Sequence, residues 1–141
     1  MNSSYSEILI VGILGYCDER FTPLQRGFET TIGYFNAKED HYIQEDPPMG
    51  ICGNITLTDI WVNGSSTDEY KGTYNDLRFS QAAVSLIENH DQSSGPMFLY
   101  LALSNTHSPL QAPQEYLDLF SEYDFASQQT FYASKYTLYF K

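Results

Sequence analysis

Positive charge is what this sequence has least of. Seven Lys and Arg stand against eighteen Asp and Glu in 141 residues, a formal net charge of −11. The seven are scattered and form no basic cluster, which argues against nucleic acid or an anionic membrane surface as a partner. An acidic surface also repels anionic substrates, so any site for them needs locally placed cations. Long hydrophobic runs are missing too. The longest uninterrupted one, Met97 to Leu103, has seven residues, far short of the roughly 20 that a membrane-spanning helix requires. Cysteine is sparse: Cys17 and Cys52 are the only two. No CxxC or Cys/His spacing suggests zinc, and the pair is compatible with one disulfide, two thiols or partners outside the chain. The N-terminus has neither a basic n-region nor a cleavage-site pattern, and Ile8 to Leu14 is interrupted by Gly12. No signal peptide is expected in this chain.

What the chain does have is apolar and aromatic content. Hydrophobic residues make up 42%, with twelve Tyr and nine Phe, enough to exclude disorder by composition and to build the core of about one domain. Three N-x-[ST] triplets occur, at Asn2, Asn54 and Asn63. The latter two, within ten residues of each other, mark Asn54 and Asn63 as candidate glycosylation sites in a secretory-pathway loop.

Met97–Leu103, bounded by Ser94-Gly95-Pro96 and Ser104-Asn105, suits a strand buried on both faces, the kind found in helix-covered parallel sheets. It runs into a polar loop carrying His107, Pro109 and Pro113. Loops at the C-terminal ends of such strands are where α/β proteins usually place their sites. Position alone leaves His107 either structural or functional. Glu7 to Gly15 reads as a second buried strand, rich in β-branched residues and closed by glycines. Tyr16 to Gly27 reads as an irregular connection, Thr31–Phe35 as a short strand, and Asn36–Gly53 as a loop without regular structure around Asp46-Pro47-Pro48. Ile55–Val62 alternates with period two ahead of Asn63-Gly64, which predicts one strand and a turn. Leu77, Val84 and Ile87, with Phe79, Ala83 or Leu86 beside them, have helical spacing. They predict a helix capped by Thr73 or Asn75 and ending near His90. A shorter helix is expected over Gln114–Phe120 behind Pro113. Phe131–Phe140 is aromatic-rich without clean periodicity and yields no assignment. Two buried strands and one good helix are few for a complete α/β domain. Exposed apolar surface and an unpaired strand edge are therefore expected.

Three segments then stand out in order: LGYCDERFTPLQRGFETTIGYFNAKEDHY, GTYNDLRFSQAAVSLIENH and PMFLYLALSNTHSPLQAPQEYL. Together they resemble the sulfatase family of the alkaline-phosphatase-like superfamily, nearest to arylsulfatase B-like enzymes, over most of residues 8 to 124. The resemblance is specific in RGFE and in FLYLAL…HSPLQAP. It implies an α/β fold, here a fragment of the alkaline-phosphatase-like sheet with helices packed on it and an irregular β-rich insertion. His107 would stand at the family's active-site histidine, which donates to the sulfate group. Arg26, Gly27 and Phe28 match the R-G-F segment, which shapes the surroundings of the site. The resemblance also implies sulfuric ester hydrolysis, calcium as cofactor, a sulfated small molecule or glycosaminoglycan as substrate, and a lysosomal or secreted location.

Several of the family's parts have no counterpart in the sequence. Its G-K-W-H-L-G should fall at Gly12-Ile13-Leu14-Gly15, where the Lys and His of the sulfate clamp are lacking. The C-x-P-x-R motif, whose cysteine becomes the formylglycine nucleophile, is found nowhere. Cys17 is followed by Asp18-Glu19-Arg20 and Cys52 by Gly53-Asn54-Ile55. The paired Asp residues and the D-N-G-G segment that bind calcium are absent as well. Cys52 matches a family disulfide position and Cys17 does not clearly match one, so a Cys17–Cys52 bond stays open. Without nucleophile, metal and clamp, a chain cannot supply the roughly 8 kcal/mol or more of transition-state stabilisation that even modest enzymes provide. The expectation is a partial sulfatase N-terminal catalytic domain over residues 1–141, inactive by itself. The alternative is a non-catalytic sulfatase-like module that binds sulfated glycans or a protein partner.

Overall fold

The computed structural model describes residues 6–13, 18–36, 39–46, 57–104, 107–124 and 126–139. In chain order its elements are β1 (Ser6–Ile13), β2 (Thr30–Tyr34), β3 (Glu45–Asp46), β4 (Leu57–Thr58), β5 (Trp61–Val62), β6 (Ser65–Ser66), α1 (Asn75–Glu88), β7 (Met97–Ala102), α2 (Gln114–Asp118) and α3 (Ser127–Tyr139). They form two compact units, Met1–Leu103 and Ser104–Lys141.

The first unit is built on a mixed sheet of strand order β6-β5-β2-β1-β7. β1 is central and parallel to both β2 and β7, while β5 and β6 add antiparallel at the far edge. Parallel neighbours cannot be joined by a tight turn, so the chain must leave the sheet and return. The 3-10 turns Glu19–Phe21 and Pro23–Arg26 make the first return, and α1 lies within the second. The expected strands Glu7–Gly15 and Thr31–Phe35 correspond to β1 and β2, with the register slipping at Gly12, between Val11 and Ile13.

α1 covers one face of the sheet. Phe79 and Ala83, one turn apart, are buried with Ile32, Tyr34 and Ile60, and Ala82, Leu86, Met97 and Leu99 pack around them. Tyr34 and Phe79 stack with ring centroids 6.5 Å apart. The helix lies where its periodicity predicts, but the stripe facing the sheet is Phe79–Ala83–Leu86. Val84 and Ile87, expected on that stripe, are each 52% exposed. Tyr74 takes the N-cap position without a side-chain cap, so neither Thr73 nor Asn75 caps the helix.

The expectation that Met97–Leu103 is buried on both faces is corrected. β7 stands at the end of the described sheet with one face covered: Met97 and Leu99 pack on the core, whereas Phe98, Tyr100 and Leu101 are exposed. Among the described residues the expected exposed apolar surface is present, and β7 has a strand partner on one side only.

Two further differences concern the middle of the chain. Ile55–Val62 is not one strand. Its described part divides into β4, which pairs with β3, and β5, which pairs with β2, with buried Asp59 and Ile60 between them. Asp59 causes the division. Its Oδ1 accepts from Trp61 Nε1 at 3.0 Å and Phe35 N at 3.4 Å, and its Oδ2 accepts from Asn36 N at 2.7 Å. The stretch expected to be irregular, Asn36–Gly53, includes β3 and is tied to the start of α1. Gln44 Nε2 donates to Tyr70 O at 2.8 Å and Thr73 O at 2.9 Å. Asn75 N donates to His41 O, and Asn75 Nδ2 to Glu39 Oε2 at 3.1 Å. The buried Gln44 amide thus ends on two backbone carbonyls, and the buried Asn75 amide on the Glu39 carboxylate. Burial also raises the Tyr74 phenol far above the usual tyrosine range, so it stays protonated.

In the second unit α3 rests on α2: Ser134 Oγ bonds to Thr130 O at 2.7 Å and Tyr116 O at 3.0 Å. α2 begins behind Pro113 as predicted. α3 could not be read from its sequence, since aromatic and polar residues alternate around it without a stripe.

Two outcomes follow from this packing. Tyr100→Lys on the open face of β7 should reduce binding of an apolar-surface dye and the tendency to aggregate, with the free energy of unfolding in urea changed by less than about 0.5 kcal/mol. Undiminished dye binding would place the exposed surface elsewhere. Burial raises the Asp59 carboxyl above its ordinary value of 3.8, in spite of the three N–H donors that pull it down. A raised folded pKa means the folded chain holds that proton more tightly than the unfolded one. The contribution of Asp59 to stability therefore falls as pH rises from about the ordinary value through the raised one, and Asp59→Asn lacks that slope. Urea midpoints of both chains across the acid range measure it, and a wild-type advantage that grows with pH would contradict it.

Candidate functional site

The segment that leaves β7 is folded on itself by short-range bonds. His107 N donates to Ser104 O at 2.8 Å, Gln111 N donates to Pro109 O at 3.0 Å, and the Ser108–Pro109 peptide is cis. The side chain of His107 is exposed. Its Nδ1 lies 2.7 Å from the carbonyl oxygen of Ser108. A carbonyl only accepts, so this contact places the proton on Nδ1 and leaves Nε2 as the outward atom. Neutral, that nitrogen accepts a hydrogen bond or a proton; cationic, it donates one to an oxyanion.

A cation supports the loop from behind. Lys135, on α3, is 1% exposed, and its Nζ donates to His107 O at 3.3 Å. Sequence reading missed this residue. The one available signal was a lysine inside an aromatic-rich stretch, where a buried ammonium must find acceptors.

The R-G-F segment has a structural role. The guanidinium of Arg26 lies over the Phe21 ring, 5.1 Å from its centroid. Gly27 adopts φ 104° to close the turn Pro23–Arg26, a conformation that suits glycine. Phe28 packs against Phe98 of β7, with centroids 6.3 Å apart. Arg20 is fixed to Asp18 by contacts of 2.8 and 3.1 Å, which hold that carboxyl below its usual range. Arg20 and Arg26 belong to the unit Met1–Leu103, and His107 to the unit Ser104–Lys141.

Of the candidate glycosylation sites, Asn63 is exposed in the β5–β6 hairpin, with φ 47° followed by Gly64 at 81°. Two positive φ values in a row are what a tight hairpin of this hand requires. Asn63 Oδ1 accepts from Thr31 N at 2.9 Å, while Asn63 N donates to Thr31 O at 2.9 Å. Asn54, Lys38, Cys17 and Cys52 lie outside the described residues. Among the described residues no group of three or more His, Cys, Asp or Glu could hold a metal ion. Nor is any described helix long and apolar enough to cross a membrane.

A parallel-centred α/β sheet running into a histidine-bearing loop is what the resemblance implied, and comparison with known proteins settles its class. Residues 4–140 match the Sulfatase family model. The chain belongs to the sulfatase family. Over 108 residues it is 33% identical to Arylsulfatase J of Mus musculus, a match that covers 74% of this chain and 17% of that protein. The crystal structure of Ps i-CgsB superposes with a TM-score of 0.74 at 22% identity, over 95% of this chain and 32% of that one. The structure of Ps i-CgsB in complex with k-i-k-neocarrahexaose gives 0.72 at 23% identity, over 96% and 31%. At that identity the likeness concerns the fold, which is α/β and part of the sulfatase architecture. The chain spans a small share of the length of each of these relatives.

Lys135→Met should lower stability by about 1 kcal/mol and shift or broaden the ring resonances of His107. Unchanged His107 resonances in a folded variant would show that Lys135 does not hold the loop.

Proposed function

We propose that the chain is a partial N-terminal catalytic domain of an arylsulfatase-type sulfuric ester hydrolase, residues 1–141, that does not turn over substrate by itself. The observation that carries this reading is the family match, which runs from residue 4 to 140 through the segment bearing His107. His107 is the group that would face a sulfate, with Nε2 turned outward by the Nδ1 contact to Ser108 O. Its role would be to donate to a sulfate oxygen or to the leaving oxygen. Lys135 and the Ser104–His107 turn would hold it in place.

Inactivity rests on what the sequence lacks: a nucleophile in C-x-P-x-R, the clamp Lys and His, and the calcium ligands. No step is assigned to calcium. The chemistry reads as sulfated aryl or glycan esters, and the setting as secreted or lysosomal, with Asn54 and Asn63 as glycan carriers. The alternative, a module binding sulfated glycans, has less support among the described residues. Arg20 is paired with Asp18, Lys71 with Glu45 and Asp68 at 3.0 and 2.9 Å, Arg26 lies on Phe21, and Lys135 is buried. A sulfate would have to compete for cations that are already engaged.

Assay of the purified chain with an aryl sulfate that releases a coloured phenol, with calcium present, should show no turnover above the uncatalysed rate. Activity that His107→Ala abolishes would overturn the inactive reading and make His107 catalytic in this chain.

A further inference from the structure

The unit Met1–Leu103 contains a cavity of about 280 Å³ that none of the sulfatase chemistry uses. Its apolar side includes Phe35 and Trp61, whose rings lie 5.6 Å apart at 49°. Its polar lining includes Glu19, Thr22, Gln25 and Thr31. One group ties both residues: Asp59 accepts from the Trp61 indole N–H, which fixes that ring, and from the backbone N–H of Phe35. The indole therefore has its polar edge satisfied inside the protein and keeps its apolar face for something else. Gly33, between Thr31 and Phe35 on β2, stands opposite Trp61 in register and places no side chain there. On another side Gly64 closes on Leu24, where a Cβ would meet Leu24 Cδ1 at 3.1 Å.

We infer that this cavity is a binding site for one uncharged sugar ring. The chemistry is specific in three respects. A pyranose has an apolar C–H face, and the fixed indole and the Phe35 ring offer a matching apolar surface. Its hydroxyls are arranged to bond a carboxylate and a carboxamide, and the lining residues Glu19 and Gln25 carry both, with Thr22 and Thr31 beside them. The Thr22 hydroxyl donates to Glu19 O at 2.8 Å and keeps its lone pairs for an acceptor role. The volume is at the small end for ligand pockets, the size for a single ring and not a chain. Charge separates this site from the sulfate chemistry of the family. The lining contains a carboxylate and no Lys or Arg, so a sulfate would be repelled.

The chain's single tryptophan is the ring in question, which makes its emission a reporter of this cavity alone. Titration of the full chain with an uncharged methyl hexopyranoside, exciting at the red edge where tyrosine is silent, should give a saturable change in Trp61 emission. The midpoint should be on the order of millimolar, unaffected by salt and unaffected by His107→Ala, which keeps it distinct from the hydrolase reading. Glu19→Gln and Gln25→Ala, both at exposed positions, should each weaken it about three- to ten-fold. Saturation-transfer NMR on the unmodified chain should carry signal from the Phe35 and Trp61 ring protons to the sugar C–H protons. The proposal is overturned by no emission change up to the solubility of the glycoside, or by an equal change with glycerol. A response abolished by salt, equal titration in both variants, or absence of ring-to-sugar transfer would overturn it too.

Discussion

The carboxylate of Asp59 sets the shape of the middle of this molecule. Buried and receiving N–H groups from Asn36, Phe35 and Trp61, it satisfies donors that a continuous strand would have had to place in a ladder. The consequence is a chain that changes partners at residues 59 and 60: β4 before them belongs with β3, and β5 after them with β2. Ile60, next in sequence, is 0% exposed in the hydrophobic core, so one dipeptide serves both the polar and the apolar interior. Burial opposes ionisation of Asp59, and the N–H donors around it offset only part of that cost. Such a group is tolerated where it fixes several backbone segments at once.

The sulfatase sheet is represented here by its parallel centre with a short antiparallel margin. Within that part the family's motif residues divide by physical role. Phe28 packs against β7 and Gly27 closes a left-handed turn, so the R-G-F segment survives as architecture. His107 is an oriented imidazole on a loop braced by a buried ammonium.

How much of this was legible in the sequence depended on whether the signal was local. β1, β2, β7, α1 and α2 announce themselves through apolar runs, helical spacing and Pro113, and the ordered motifs carry the family. The facing stripe of α1 was misjudged because Val84 and Ile87 have the right period but the wrong phase, and phase is fixed by the partner, here the Phe79–Tyr34 stack. The division of Ile55–Val62 was hidden because an alternating pattern does not reveal that Asp59 will collect donors from residues 35 and 36. Lys135 and α3 were invisible for a related reason: the helix is defined by bonds from Ser134 to Tyr116 and from Lys135 to His107, which no period encodes.

The pairing of β1 with β7 joins residues about ninety positions apart, Ser6 with Met97 through Val11 with Ala102. Closing so long a loop costs entropy that only the completed contact returns. On a ribosome β1 is thus made well before β7, and the sheet gains strands on both sides of β1 only after the other described strands of this unit and α1 have emerged. During that interval β1 has no β7 to pair with. Synthesis of this unit is exposed to misassembly at β1 until β7 arrives, and chaperone occupancy there would be the natural remedy.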